Sequence, residues 1–557
     1  MVTYGDVRRW RDEPLLTAEE RLKKLSDRLL GLSDEYAEMG TPKTWRGPAA
    51  DAAGRRRKTV TEQMEWIVAR ASAARRGVGQ VGDAIGGLMR GVREAEAFAK
   101  QNGLEIGDDG SVRDVKPAQN VPKHQIDDVR RERQRVRNEL VDRVEQIMRR
   151  AVDIDNELTS VLNQIAYDQI KDGGATGLAA ADRAGFTLGS LDIIEPPGGT
   201  ATPGDNAGWW DTLSDEEKKW IIAHRPDWVG NRDGIPFEAR DEANRNRLAA
   251  EKERLLAERR RLVGARSRFH TGPYGGNPAL QGRDLRAIEQ KLQAISAIEK
   301  VLARPGERQL ALLNLDAPRA EAAVVNGNMD KADHVAVFTP GTGATVPGGL
   351  GDYDNEMASL KHRAEAELAR HGKGGTVATV SWIGYQAPQW THDLPVFEGR
   401  AEEGGRKLAS FLQGIDSARD TDAHVTAIGH SYGSTTTGHA LRQNTGVDDV
   451  VFLGSPGVGT DHVGGLKVPE GHTTVIESGG DLVTKVGWFG RDPEDMKGVN
   501  LGSADEATLP DGRRLSGLSN WNPASHMDYR KDGTTSQYNT SVVVGGMPER
   551  MVRTKEW

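Results

Sequence analysis

The sequence predicts a multidomain protein: an all-α N-terminal region with a helical hairpin and long helices, then a C-terminal α/β domain with a mostly parallel sheet and helices on both faces. Two patterns predict it. In the N-terminal part, apolar residues recur at alternating steps of three and four, the spacing of helices packed along a seam. From residue 334 onward, short β-rich runs alternate with helix-length segments, as in parallel βαβ units. Size agrees. The 557 residues exceed one ordinary core, so about two to four domains are expected. Hydrophobic residues at 37% and charged residues at 28% suit solvated helices beside one compact domain.

The first element expected is a helical hairpin over residues 1–103. Thr17 and Glu20 read as a capping box. Leu22, Leu25, Leu29, Leu32, Tyr36 and Met39 form a seam that Gly40, Thr41 and Pro42 stop. A second helix follows the turn Trp45-Arg46-Gly47-Pro48, with Val60, Met64, Ile67 and Ala71 on one side and then Val78, Val81, Ile85, Leu88 and Val92. Helix, Trp-x-Gly turn and helix in this order resemble the WXG100-like hairpins of type VII secretion substrates. The resemblance implies a small helical WXG100-like partner. Trp45 is expected to plug the open end of the hairpin. The family's Tyr-x-x-x-Asp/Glu export signal is missing, since none of the nine tyrosines has an acidic residue four positions on.

Residues 104–170 should hold a short β-hairpin turning at Asp109-Gly110, then a long helix with Leu140, Val144, Ile147, Ala151, Ile154, Leu158, Leu162 and Ile165 on its seam. Arg130, Arg131, Arg133, Arg135 and Arg137 are interleaved with acidic residues and read as a solvated face. Residues 171–208, rich in Gly, Ala, Pro and Thr, read as a linker. Residues 209–310 read as a helical lead-in or cap region. It opens on Trp209-Trp210 and a Ser214/Glu217 capping box, followed by charged helices near 237–264 and 282–304.

Composition narrows the function. The net charge of -8 disfavours nucleic acid as a partner. With no cysteine, thiolate zinc sites, disulfides and a cysteine nucleophile are excluded. Met1 to Asp6 lack the apolar core of a cleavable signal peptide, and no apolar run approaches the roughly 20 residues of a membrane span. The expectation is a cytoplasmic protein, or one exported without a cleavable signal. No transmembrane segment, metal or organic cofactor is expected.

The chemistry is expected in residues 311–557. Strands are predicted at 334–339, 376–382, 424–428, 450–453 and 473–477, with helices near 354–371, 397–416 and 433–443. Between the third strand and a helix lies Gly429-His430-Ser431-Tyr432-Gly433. A tight strand-to-helix turn with glycine two residues either side of a serine is a nucleophile elbow, the signature of an α/β-hydrolase-type domain. It lifts Ser431 clear of the sheet and puts the Tyr432 N–H at a helix start, where an anion is favoured. His430 is expected to pack under the elbow.

In such a fold the acid and base follow the serine in that order. Asp481 lies just after the fifth strand, and Asp492 and Asp495 are its competitors. After Asp481 the sole histidine is His526. The loop after the first strand, Pro340-Gly341-Thr342-Gly343, suits the second oxyanion donor, from Thr342 or Gly343, alongside Tyr432.

From about residue 205 the chain resembles the actinobacterial α/β-hydrolase family known as DUF1023. The matching stretches are Trp209-Trp210 to Leu213-Ser214, Gly234-Ile235-Pro236 with Arg240-Asp241 and Asn244-Arg245, His334 to Gly343, Gly429 to Ser434, Gly454-Ser455-Pro456-Gly457 and Ser525-His526. The resemblance implies a serine hydrolase on a helical N-terminal region and brings no substrate. An attacking Ser431 with His526 and Asp481 is expected to act on an ester, thioester or amide, with lipids among the candidates. The competing expectation is an inactive hydrolase fold serving as an interaction or secretion-system protein.

Overall fold

The computed structural model describes residues 2–38, 44–171, 174, 177–191, 194–269, 278–389, 397–484, 489–518 and 523–554. Met39, the Gly40–Pro42 stop and Gly173 lie outside them, as does the side chain of Tyr36. The chain divides into two compact units. One comprises 1–117, 137–201 and 207–219, the other 118–136, 202–206 and 220–557.

In the first unit a helix spans Glu13–Glu38. It begins before Thr17, so Thr17 is interior rather than a cap, and Glu20 pairs with Lys24 instead. The next helix runs unbroken over Pro48–Gln101. Gly47 enters it at φ 108, a conformation glycine adopts without strain, and Pro48 supplies a preset φ at the first helical position. The two helices approach through small residues: a Cβ on Gly82 would stand 2.9 Å from Leu16, and one on Gly79 would stand 2.8 Å from Glu19.

The expected seam holds for Val78, Val81, Ile85, Leu88 and Val92, all buried. On the first helix it holds in part: Leu29 packs against the core and Leu22 is half-buried, but Ser26 is buried while Leu25 is 46% and Leu32 42% exposed. Trp45 is 48% exposed and does not plug the hairpin. Strands β1 (Leu104–Ile106) and β2 (Val112–Asp114) pair antiparallel around Gly110, and a helix follows over Ile126–Ala166.

The segment expected as a linker contains a helix, Leu178–Leu188. A Cβ on Gly185 would lie 1.9 Å from the Ala69 carbonyl oxygen. Its small residues therefore permit close helix packing; composition alone made them look like linker. Trp209 and Trp210 are buried, and Ser214 and Glu217 form the expected capping box, at 2.8 and 3.2 Å.

The second unit is built on an eight-stranded sheet: β3 (Arg308–Asn314), β4 (Glu321–Asn326), β5 (His334–Thr339), β6 (Val377–Ile383), β7 (His424–His430), β8 (Asp449–Leu453), β9 (Thr473–Glu477) and β10 (Asn500–Ser503). The order is β10-β9-β8-β7-β5-β6-β4-β3. β4 is antiparallel to both neighbours, and the other pairs are parallel. A small pair, β11 (Ala507–Thr508) and β12 (Arg514–Leu515), stands apart.

Side-chain alternation feeds two cores. Val335 and Val337 face a layer containing Phe411, Leu412 and Ala440, whereas Ala336 and Phe338 face Met357, Leu360, Val542 and Val543. Helices thus cover both faces. The helices Phe237–Phe269 and Pro278–Leu302 pack through Leu248, Leu255, Ile295 and Ile298 onto Leu310, Leu313 and Val324. They buttress the β3–β4 edge, where a lead-in or cap was expected. Within the arginine-rich stretch, Arg130 pairs with Asp127 at 3.0 Å, Arg135 with Glu132 at 2.6 Å, and Arg131 with Asp128. No described helix is long and apolar enough to cross a membrane.

Candidate active site

The candidate residues converge beyond the C-terminal ends of β5, β7, β8 and β9, the edge where open α/β sheets bind ligands. Ser431 sits at φ 55, ψ -132 between β7 and the helix Tyr432–Leu441. Only two other described non-glycine residues have positive φ. Such a backbone costs about 1–3 kcal/mol and persists only where packing enforces it. The enforcement is visible. A Cβ on Gly433 would lie 2.1 Å from the Thr339 oxygen, and one on Gly429 would lie 2.6 Å from Ser434 Cα. The turn is also tied across the sheet, since the Ser431 N–H donates to the Leu453 oxygen at 3.0 Å.

The structure brings His526 and Asp481 together, and both are buried. His526 Nδ1–H donates to Asp481 Oδ2 at 2.7 Å. A carboxylate accepts here, so Nδ1 carries a proton and Nε2 is the nitrogen whose lone pair is left to accept one. That Nε2 is buried without a hydrogen-bond partner. Asp481 is aimed by its own turn: Oδ1 accepts from the Val483 N–H at 3.0 Å, and the Thr484 hydroxyl donates to the Asp481 carbonyl at 3.0 Å. Asp492 caps the short helix Pro493–Asp495, and its carboxylate converges with those of Glu477 and Glu494. Asp495 is exposed.

The loop after β5 lies against the elbow. A Cβ on Gly341 would stand 2.8 Å from Ser431 Cβ and 3.0 Å from the Tyr432 nitrogen, so only glycine lets this backbone approach. The Gly343 N–H is committed to the Pro388 oxygen at 2.8 Å. That removes Gly343 from the two expected oxyanion donors. Among the described residues, the Thr342 N–H has no such backbone acceptor. Tyr385 pins the loop by donating to the Pro340 oxygen at 2.6 Å.

Three participants escaped sequence reasoning. The Tyr529 hydroxyl donates to Asp481 Oδ2 at 2.9 Å and accepts from the Ser478 N–H at 2.9 Å. Burial, then the Asp481 charge, pushes its hydroxyl well above the ordinary tyrosine range. Its signal was the spacing of three from His526, which a 3₁₀ turn places on one face. Such a helix does run over Pro523–Arg530. Gly454, at φ 53, leaves room for Asp481 and His526, which a Cβ would meet at 2.8 and 3.2 Å. Tyr385 carried no signal in one sequence. His430 does pack beneath the elbow, and its Nε2–H donates to the His526 carbonyl at 2.7 Å. Burial, reinforced by Arg530 and His526, holds it well below the ordinary histidine range, hence neutral.

Comparison with known proteins agrees with this architecture. Residues 316–490 match a family described as alpha/beta hydrolase. An uncharacterized protein of Mycobacterium tuberculosis is 34% identical over 243 residues, covering 41% of this chain and 88% of that protein. The chain belongs to this α/β-hydrolase family. A Mycobacterium bovis protein, also uncharacterized, matches equally. A second uncharacterized M. tuberculosis protein is 31% identical over 281 residues, 48% of this chain and 41% of its own length. Among solved structures, a dienelactone hydrolase-like promiscuous phosphotriesterase from metagenomic libraries aligns with 44% of this chain and 99% of its own. Its identity is 16% and its TM-score 0.27.

Proposed function

We propose that this α/β-hydrolase, of the DUF1023 kind, is a serine hydrolase cleaving an acyl ester, thioester or amide. The observation that carries this reading is His526, with Nδ1 spent on Asp481 and Nε2 buried and unbonded, in the same site as a strained serine. Ser431 Oγ attacks the acyl carbonyl carbon while His526 Nε2 takes the hydroxyl proton. The carbonyl electron pair moves onto oxygen, facing the N–H groups of Tyr432 and Thr342. The tetrahedral intermediate collapses, the acyl–leaving-group bond breaks, and His526 returns the proton to the leaving group. Water, deprotonated by the same imidazole, then hydrolyses the acyl-enzyme. Asp481 holds the ring and balances the imidazolium.

The test is labelling by a fluorophosphonate probe together with turnover of acyl esters of graded chain length. Wild type labels and turns over, and Ser431→Ala does neither. Absence of wild-type labelling, or equal labelling of Ser431→Ala, defeats the reading. A preference for long chains would mark lipids as substrates.

A second reading concerns the helical unit and is favoured by its exposed apolar side chains Leu25, Leu32 and Trp45. They suit a WXG100-like hairpin that binds a small helical partner and is exported by a type VII route without a cleavable signal. Co-purification of such a partner with the full chain tests it.

A further inference from the structure

We propose that Tyr529 and His430 are positioning residues that hold Asp481 and His526 from behind and tune the strength of the base. The inference rests on the serine-hydrolase reading and deepens it. The 3₁₀ helix Pro523–Arg530 turns every three residues, so His526 and Tyr529 project from one side. Both reach the same atom. Asp481 Oδ2 accepts from His526 Nδ1–H at 2.7 Å and from the Tyr529 hydroxyl at 2.9 Å. The Ser478 N–H fixes the Tyr529 oxygen at 2.9 Å, which turns the hydroxyl proton toward the carboxylate.

His430 acts on the other partner. Its Nε2–H donates to the His526 backbone carbonyl at 2.7 Å, and the two rings lie 4.9 Å apart. A carbonyl can only accept, so this tautomer is fixed, and a ring held neutral by burial keeps the bond across the working pH range. Because His430 directly precedes Ser431, the bond links the nucleophile's strand to the base's loop.

The shared oxygen has an electrostatic consequence. The tyrosine hydroxyl draws on the electron density that would otherwise act on the His526 proton. Without it, Asp481 pulls harder on Nδ1–H and stabilises the imidazolium, so the base stays protonated to higher pH. Among the described residues, the other charged groups facing this cluster are Arg530, toward His430, and Glu477, toward Tyr529.

The experiment uses the full chain with Tyr529→Phe, His430→Leu and His430→Gln, measuring kcat and KM on an acyl ester from pH 5 to 9. Tyr529→Phe is expected to lower kcat about tenfold with KM unchanged and to move the acid limb to higher pH. His430→Leu should lower kcat similarly, and His430→Gln, which retains an N–H donor, should restore most of it. In proton NMR the His526 Nδ1–H line should shift in Tyr529→Phe, a readout independent of turnover. A Tyr529→Phe pH profile of wild-type shape with an unmoved Nδ1–H line overturns the proposal. So does equal activity of His430→Leu and His430→Gln. If wild type neither labels with fluorophosphonate nor turns over, the hydrolase reading itself has failed and this inference falls with it. An active, labelled wild type with indifferent variants sinks the inference alone.

Discussion

Ser431 shows how few residues define the elbow. Its backbone is held at φ 55 because the flanking positions lack side chains, and Gly433 has the tighter fit. An alanine there would drive Cβ to 2.1 Å from the Thr339 oxygen, against backbone that cannot rotate away. Gly433→Ala should therefore cost about 1–3 kcal/mol in urea unfolding and abolish fluorophosphonate labelling. Gly374→Ala is the control, since nothing lies within 4 Å of its Cβ position. Equal stability of the two variants would refute the packing account. At this scale the sequence was informative. The glycine spacing around Ser431 was readable because a tight strand-to-helix turn fixes residue types at fixed offsets. Gly454 was not, because its role comes from three-dimensional proximity to Asp481, and Tyr529 offered only its spacing of three from His526. The Gly343 donor failed for a similar reason, as its N–H goes to Pro388, 45 positions away.

Among the elements, the central strands β5, β6, β7, β8 and β9 were legible as β-rich runs. β3, β4 and β10 were missed; β3 follows directly on the long helix Pro278–Leu302, which masked the change of period. The N-terminal ends of the central strands carry a titratable row that bears on stability. His424 Nε2 faces Asp449 Oδ2 at 2.8 Å, and His472 Nδ1 faces Asp449 Oδ1 at 3.0 Å. His424 Nδ1 faces the Val544 oxygen at 3.2 Å, so both its nitrogens meet acceptors and the imidazolium fits best. Both histidines are raised above their ordinary value. The bond to Asp449 is the leading cause for His472, and for His424 the Asp449 and Asp448 interactions outweigh burial. Asp448 is raised by burial to about 6, Asp449 is lowered by its histidine bonds despite burial, and His334 is lowered by burial. A raised folded pKa gives stability that is complete below the unfolded value and is lost as pH rises through the folded one. Above pH 6.5, the lowered His334 is mostly neutral, Asp448 is mostly ionised and Asp449 is ionised, which leaves His424 and His472 as the main titrating pair of this row. The urea midpoint should fall between pH 6.5 and 8.5, and His424→Asn should flatten that slope. A wild-type midpoint that is level or rises over this range would rule out the charged pair.

Across the whole molecule, the division into helical and α/β parts was readable from hydrophobic period alone, but the orientation of the first helix was not. Periodicity marks which residues share a face; it does not say which face a neighbour takes. On Glu13–Glu38 the neighbour contacts run through Leu16, Glu19, Leu29 and Leu30, and Leu25 and Leu32 are left 46% and 42% exposed. Fully burying a leucine is worth about 1.5–3 kcal/mol, so covering the exposed parts of two would supply roughly 1–3 kcal/mol to a complex. At 1.4 kcal/mol per tenfold in affinity, replacing both with charge should weaken a small helical partner by at least about tenfold. Leu25→Glu with Leu32→Glu in the full chain is thus expected to lose a co-expressed WXG100-like partner in affinity purification, while ester turnover at Ser431 stays at the wild-type rate. Retention of the partner by the double variant would show that this face is not where it binds. A matching loss of turnover would show that the substitutions act through folding instead.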